Sequence, residues 1–197
     1  ITHVENTIDP VRDLELIETE LILADLESLE KRLPNLEKKA KSGDKELKEQ
    51  VELIKKVLPL LQEGKPAREY KPTKDEEKQC KMLQLLTSKP EFFVCNVSEE
   101  DILTGNKYTK AVEDYVKQKG GVSTIISAKV ESEIAILESK EEKQEFLEAL
   151  GLKETGLDKI IKIAYNFLGL LTFFTAGEME TKAWTVKKGS CAPQCAG

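Results

Sequence analysis

The sequence predicts an α/β fold: part of a parallel sheet, interrupted by an antiparallel helical hairpin and followed by strands of a further unit. Three observations carry this. Two apolar runs, residues 92–97 and 122–126, flank one helix-length stretch, the spacing of a strand–helix–strand unit with a right-handed crossover. Upstream, apolar residues recur at steps of three and four from residue 14 to residue 61, broken once by Ser42-Gly43-Asp44. Downstream, a long apolar-striped helix gives way to two strand-like runs, residues 171–175 and 181–186.

The elements follow in order. Asp9-Pro10 opens a helix, because Asp caps the first free amides and Pro suits the first helical position. Leu14, Ile17, Leu21 and Ala24 form one stripe; Ile22, Leu26, Leu29, Leu33, Leu36 and Ala40 form a second, shifted in phase. After the break, Leu47, Val51, Ile54, Leu58 and Leu61 resume the spacing as far as Gly64-Lys65-Pro66. Two such helices joined by a short turn make a hairpin. With arms of roughly 27 residues it projects about 40 Å at ~1.5 Å rise per residue. Pro34 lacks a backbone donor and predicts a kink in the first arm. Thr73-Lys74-Asp75-Glu76 is a capping box for a helix reaching about residue 86. The runs at 92–97 and 122–126 read as buried strands, separated by a helix at 108–119 that Gly120-Gly121 ends. Short helices are predicted at 132–137 and 141–150, and a longer one at 157–170. The opening Ile1-Thr2-His3-Val4 reads as the end of a strand. With no initiator Met, and Gly197 just after a strand pattern, the chain is expected to be part of a larger protein.

Composition narrows the function. The 197 residues are 40% hydrophobic, enough for a sizeable core with an appendage. Their 34% charged content, above the ~25% of ordinary domains, suits long solvated helices. A net charge of −6 argues against DNA as a partner and leaves room only for a local basic patch. No apolar run approaches the ~18 residues of a membrane span, and no signal peptide opens the chain, so no membrane partner is expected. Four Cys with one His and no CxxC pair predict reduced thiols in the cytosol rather than a zinc site.

In open parallel sheets, ligands bind at the carboxyl ends of the strands. Two polar loops stand there, Asn96-Val97-Ser98-Glu99 and Ser127-Ala128-Lys129. In GTPases the first would be Asn-Lys-x-Asp, whose Asp accepts from the two donors on one edge of guanine. The second would offer a backbone amide to the guanine oxygen. Glu99 is a methylene longer than Asp and cannot keep that bidentate geometry, so it is expected to point elsewhere. The Asn96 amide can donate and accept as Asn does on adenine N7 and N6 in DNA, and the Val97 backbone can complete the polar edge. The reading leans to adenine. A bland alternative stands beside it: Asn96 as an Asx-turn residue and Ser127 as a helix cap.

No GxxxxGK[ST] occurs in the chain. Gly151 and Gly156 have Walker spacing, but Leu157-Asp158 follows and no strand precedes, so they mark a helix–helix turn. His3, the only imidazole, has no catalytic arrangement around it and is read as structural. Cys191 and Cys195 have little basic surrounding beyond Lys187-Lys188 and are read as an ordinary reduced pair. Lys38, Lys39 and Lys41, with Lys45 and Lys48, make the hairpin tip basic. Such a tip can seek a phosphate backbone, or be a solvated helix end whose Lys suit the dipole.

A resemblance covers essentially the whole chain. ITHVENTIDPVRDLELIETELILADLESLEKR resembles the segment that enters the coiled-coil insertion of the YchF / Obg-like ATPase family. NVSEED looks like that family's NxxE replacement for NKxD. FLEALGLKETGLDKIIKIAYNFLGLLTFFTAGEMETKAWTVKKGSCAPQCAG is similar to its passage from nucleotide-binding domain into TGS domain. The resemblance implies a partial P-loop NTPase parallel sheet, an inserted antiparallel α-helical coiled-coil hairpin and the start of a TGS (β-grasp-like) domain. On this chain the parts fall at 1–12 (a strand end of the nucleotide-binding domain), 13–70 (hairpin), 71–170 (carboxyl-terminal half of the nucleotide-binding domain) and 171–197 (start of TGS).

It further implies an ATPase that uses ATP with Mg²⁺, works in the cytoplasm and associates with the ribosome, with RNA as a further partner. Base contacts would fall on Asn96, Val97 and Glu99 on one side, and on Ser127, Ala128 and Lys129 on the other. The phosphate and Mg²⁺ ligands are expected outside this chain, which alone should hydrolyse nothing. Pro34, Cys191 and Cys195 depart from the pattern. Two other readings stay open: a non-catalytic ribosome- or RNA-binding adaptor with a vestigial nucleotide site, and an Obg-like GTPase.

Overall fold

The computed structural model describes residues 8–195. The strand end expected at residues 1–4, and His3 with it, lie outside the described residues. The chain forms two compact units, Ile1–Glu91 and Phe92–Gly197.

The first unit is built on two helices, α1 (Pro10–Ala40) and α2 (Lys45–Gln62). Asp9 caps α1 by accepting the Arg12 N–H, and Asp44 caps α2 by accepting from Glu46 and Leu47. The arms are unequal. At ~1.5 Å per residue, 31 residues of α1 reach about 46 Å and 18 residues of α2 about 27 Å. This corrects the expectation of matched arms. Ile22, Leu29 and Ala40 of the second stripe are covered, while Ile17 and Ala24 of the first are exposed: α2 packs on the face that carries Ile22 and Leu29, and Ala24, between those two along the helix, lies on the opposite face. The helical assignment is unbroken through Pro34, and α2 likewise continues through Pro59.

Ile22 and Leu29 pack with Leu53, Ile54, Val57 and Leu61 of α2, and Ala67, Leu83 and Leu85 close the cluster. Residues 71–91, which the sequence reading groups with the nucleotide-binding half, thus pack on the base of the hairpin. Thr73 and Glu76 meet as the capping box suggests, with the Thr73 N–H donating to the Glu76 carboxylate at 2.9 Å. The helix proper, α3 (Glu77–Leu83), starts later and ends earlier than expected, at a left-handed Gln84.

A buried carboxylate ties this base together. Asp25 is only 3% exposed. It accepts the Leu86 N–H at 2.7 Å, the Thr87 N–H at 2.8 Å and the Thr87 hydroxyl at 2.7 Å. Thr87 Oγ1 in turn accepts the Ala67 N–H at 2.9 Å. Around it, the Arg32 guanidinium donates to the Leu83 carbonyl, and Arg68 pairs with Glu18 and Glu91.

In the second unit, β1 (Phe93–Asn96) and β2 (Ser123–Ile126) pair in parallel, in register from Phe93↔Ser123 to Asn96↔Ile126. Between them runs α4 (Lys107–Gln118), opened by a reciprocal cap of Asn106 and Thr109. Gly105, at φ +68°, makes the turn into that cap; a Cβ there would meet Ile125 Cδ1 at 2.9 Å. The strands are less buried than the sequence suggests: Val94 is 40% exposed and all four residues of β2 are half-buried. Unbroken apolar strands are fully buried only when both faces are covered. Here α4 and α7 are the helices that pack most on β2.

Next come α5 (Ala128–Ala135), α6 (Lys140–Ala149) and α7 (Gly156–Phe167). Ile102, Val130, Ile134, Leu147 and Leu152 form the apolar cluster beneath them. Gly151 to Gly156 is the turn from α6 to α7, in line with the reading that it is no phosphate loop. The antiparallel pair β3 (Leu170–Ala176) and β4 (Thr181–Lys187) and a short α8 (Ala192–Cys195) complete the unit. All four cysteines are free thiols.

Two outcomes follow for the first unit. Asp25→Asn keeps the shape of the side chain but turns an NH₂ donor towards backbone donors. It is expected to cost on the order of 3 kcal/mol, read as a lower urea midpoint by far-UV circular dichroism. Glu76 is held down at about 2, by the Lys56 ammonium first and then by the Thr73 amide. A carboxyl lowered from its ordinary 4.5 stabilises the fold fully above that pH and loses its contribution as pH falls towards about 2. Glu76→Gln should therefore flatten the acid-side loss of stability in that window, measured by the same transitions at stepped pH.

Candidate functional site

Strand alternation sorts the loop after β1. Val97 turns inward, packing against the cluster of Ile102, Val130, Ile134, Leu147 and Leu152. Asn96, one residue earlier, is exposed on the other face. A Lys at position 97, as in the GTPase pattern, would set an ammonium against that cluster; Val fits it.

The backbone of Val97 is half used. Its N–H extends the ladder by donating to the Ile126 carbonyl at 2.9 Å. Its carbonyl accepts no hydrogen bond among the described residues, so it is as an acceptor that Val97 can serve a ligand. Asn96 reaches across to the neighbouring loop, where Oδ1 accepts the Ala128 N–H at 2.9 Å. Its Nδ2 hydrogens have no partner among the described residues.

Glu99 opens a single turn at Glu99–Asp101, and its carboxylate lies 3.3 Å from the Lys129 ammonium. Lys129 also lies 3.8 Å from Glu133. Glu99 is thus engaged by Lys129. The turn is braced from below: Asp101 accepts from the Ser98 hydroxyl at 3.3 Å and from the Asn106 side chain at 2.7 Å.

The second loop is in fact the start of a helix. Ser127 holds the N-cap position of α5 but makes no side-chain cap bond. It is fully buried, and its hydroxyl has no hydrogen-bond partner among the described residues. Ala128 and Lys129 form the exposed first turn. Of the six loop residues singled out from sequence, the fold therefore brings Asn96, Ala128, Glu99 and Lys129 together at the surface. Val97 and Ser127 lie beneath. Cys95 is half-buried beside them, and burial pushes its thiol up and away from reactivity at neutral pH.

Sequence reasoning missed Glu131. From α5 its carboxylate accepts the Gly156 N–H at 2.6 Å and the Leu157 N–H at 3.2 Å, capping α7 from outside. A Cβ on Gly156 would meet Glu131 Oε1 and Ile126 Cγ2 at 2.8 Å each, so glycine is required by the close approach. The glycine at a helix start was visible, but its distant acidic partner leaves no local pattern. Among the described residues no three His, Cys, Asp or Glu side chains converge on a metal position. The basic residues Lys38, Lys39, Lys41 and Lys45 belong to the other unit, at the α1–α2 turn. Among the described residues no helix is long and apolar enough to cross a membrane.

Known proteins resemble this arrangement along its whole length. The family model YchF-GTPase_C, described as a protein of unknown function (DUF933), matches residues 170–197. A Bacillus subtilis protein named "Ribosome-binding ATPase YchF" is 47% identical over 199 residues, covering all of this chain and 54% of the relative. One of the same name from Escherichia coli O157:H7 is 40% identical, covering all of this chain and 54% of the relative. The solved structure of the Schizosaccharomyces pombe YchF GTPase superposes with a TM-score of 0.81 at 33% identity, over all of this chain and 54% of that one. The chain spans about half the length of the curated relatives it matches. With its sequence matched end to end and its fold matched over the same span, this chain is similar along its whole length to the YchF proteins.

Proposed function

We propose that this chain supplies base recognition and partner contacts to an ATP-hydrolysing P-loop enzyme that associates with the ribosome in the cytoplasm. One observation carries the base preference: the Ala128 N–H, the amide that would meet a guanine oxygen, is already satisfied by Asn96 Oδ1 at 2.9 Å. The carboxylate that guanine's two donors would need is likewise paired, with Lys129. What stays open is a donor, Asn96 Nδ2, and an acceptor, the Val97 carbonyl. Adenine asks for that combination, a donor to a ring nitrogen and an acceptor for its amino group, whereas guanine turns an oxygen towards the acceptor.

The relatives' name, ribosome-binding ATPase, supports both parts of the proposal. Phosphate positioning and Mg²⁺ belong in this reading to groups other than those of this chain, whose sequence contains no GxxxxGK[ST]. Mg²⁺, when bound, neutralises charge on the transferring phosphoryl group. The chain by itself turns over no ATP. The α1–α2 pair serves as the coiled-coil insertion, and β3 with β4 begins a TGS domain. A second reading, GTP as the substrate, has the naming of the S. pombe relative in its favour.

The two readings separate at position 96 in the full-length protein. Asn96→Asp keeps an acceptor for the Ala128 amide but removes the donor to adenine. ATP affinity should fall by about 1–3 kcal/mol, roughly five- to 150-fold, in calorimetric titration. Asn96→Ala should lose as much and also free the Ala128 amide, so the ATP-to-GTP preference moves towards GTP. Unchanged ATP binding in both variants, or tighter GTP than ATP binding in the parent, removes the assignment.

A further inference from the structure

Between the last turn of α1 and the first turns of α2 lies an open groove of about 570 Å³. Its floor is apolar, with Ala40 and Val51 buried there. Its walls carry Lys38, Lys41, Lys48 and Lys55 against only Glu37 and Glu52. Both glutamates are taken up by Lys55, at 3.0 and 3.9 Å.

Several other lysines of the two helices and their surroundings have what Lys38, Lys41 and Lys48 lack. Lys31 pairs with Glu27 at 2.5 Å, Lys45 with Glu49 at 3.7 Å and Lys56 with Glu76 at 2.7 Å. Lys38, Lys41 and Lys48 form no ion pair among the described residues. In a chain of net charge −6, three uncompensated cations share one concave surface. Lys45, counted with the tip from sequence, is neutralised by its partner, and Lys39 lies outside the groove; Lys48 takes their place.

We infer that this groove is a docking site for the phosphate backbone of RNA, held by Lys38, Lys41 and Lys48. The choice of RNA among polyanions rests on the ribosome association proposed above; the choice of groove rests on charge and shape alone. Each lysine that neutralises a phosphate releases a condensed counterion. Binding is therefore independent of base sequence and steeply dependent on salt. The tip acts as a clamp on backbone, with the apolar floor lying under the sugars.

The test uses the 197-residue chain and a fluorescein-labelled RNA stem-loop, titrated between about 50 and 200 mM KCl. With three phosphate contacts, log K should fall against log [KCl] with a slope of about −2.7, roughly a fortyfold loss across that range. The triple change K38Q/K41Q/K48Q should bring the slope close to zero, and Lys41→Gln alone should lessen it by about 0.9. Lys31→Gln, which breaks a paired lysine, should leave it unchanged. The proposal is overturned if the triple variant keeps the parent slope, if the chain does not bind the RNA, or if polyglutamate of equal charge binds more tightly than RNA. Nucleotide preference is read separately at position 96. A flat slope in the triple variant beside unchanged ATP affinity in Asn96→Asp would sink the base reading and leave the groove standing.

Discussion

The parallel register that sets Asn96 opposite Ile126 and Val97 just beyond it governs the whole candidate site. Side chains alternate along a strand, so only this register sends Val97 into the cluster of Ile102 and Val130 while turning Asn96 outward. A slip of one residue would bury the amide and expose the valine, at a cost the apolar cluster makes prohibitive. The same ladder brings β2 to its end at Ile126, within reach of the Asn96 side chain, so α5 starts where Oδ1 can take its first free amide. The loop that looks like a recognition motif is thus held in place by packing, with the polar groups left over at the surface.

The first unit relies on a different economy. Its helices meet through an ordinary apolar seam, but the return of the chain from α2 past α3 is fixed by one carboxylate with three donors around it. Asp25 sits in an otherwise apolar stretch of α1. A buried carboxylate is tolerable only when fully hydrogen-bonded, and the Leu86 and Thr87 amides supply that. The result is a specific junction at the hairpin base, where apolar contacts alone would let the connection slide.

Much of this was legible in the sequence because it is local. Asp9-Pro10, the Ser42-Gly43-Asp44 break and the Gly151–Gly156 decoy each announce themselves within a few residues, and each falls where the pattern puts it. The periodicity of α1 was visible too, but not which of its stripes would be covered. That depends on the face against which α2 packs, a fact about another element. Strand burial was overestimated for a related reason, since an apolar run shows what a strand can bury and not what is present to bury it. The long-range polar contacts were invisible: Asp25 to Thr87, Glu131 to Gly156 and Glu99 to Lys129 join residues far apart in sequence. At the site, Asn96 was found by its motif, while the engagement of its oxygen by Ala128 could come only from geometry.

The cap that Glu131 places on α7 has a mechanical meaning. One carboxylate holds the first turn of α7, and its own helix begins at the amide Asn96 grips, so α5 and α7 are fastened end to side. From there α7 runs 12 residues, about 18 Å, to Phe167, whose ring meets Phe92 edge-on at 6.2 Å beside the start of β1. Beyond it, the Gly169 carbonyl receives the Lys188 N–H at 2.7 Å. A continuous chain of contacts therefore runs from the loop tips to the root of the β3–β4 ribbon, where the left-handed Gly169 joins helix to strand.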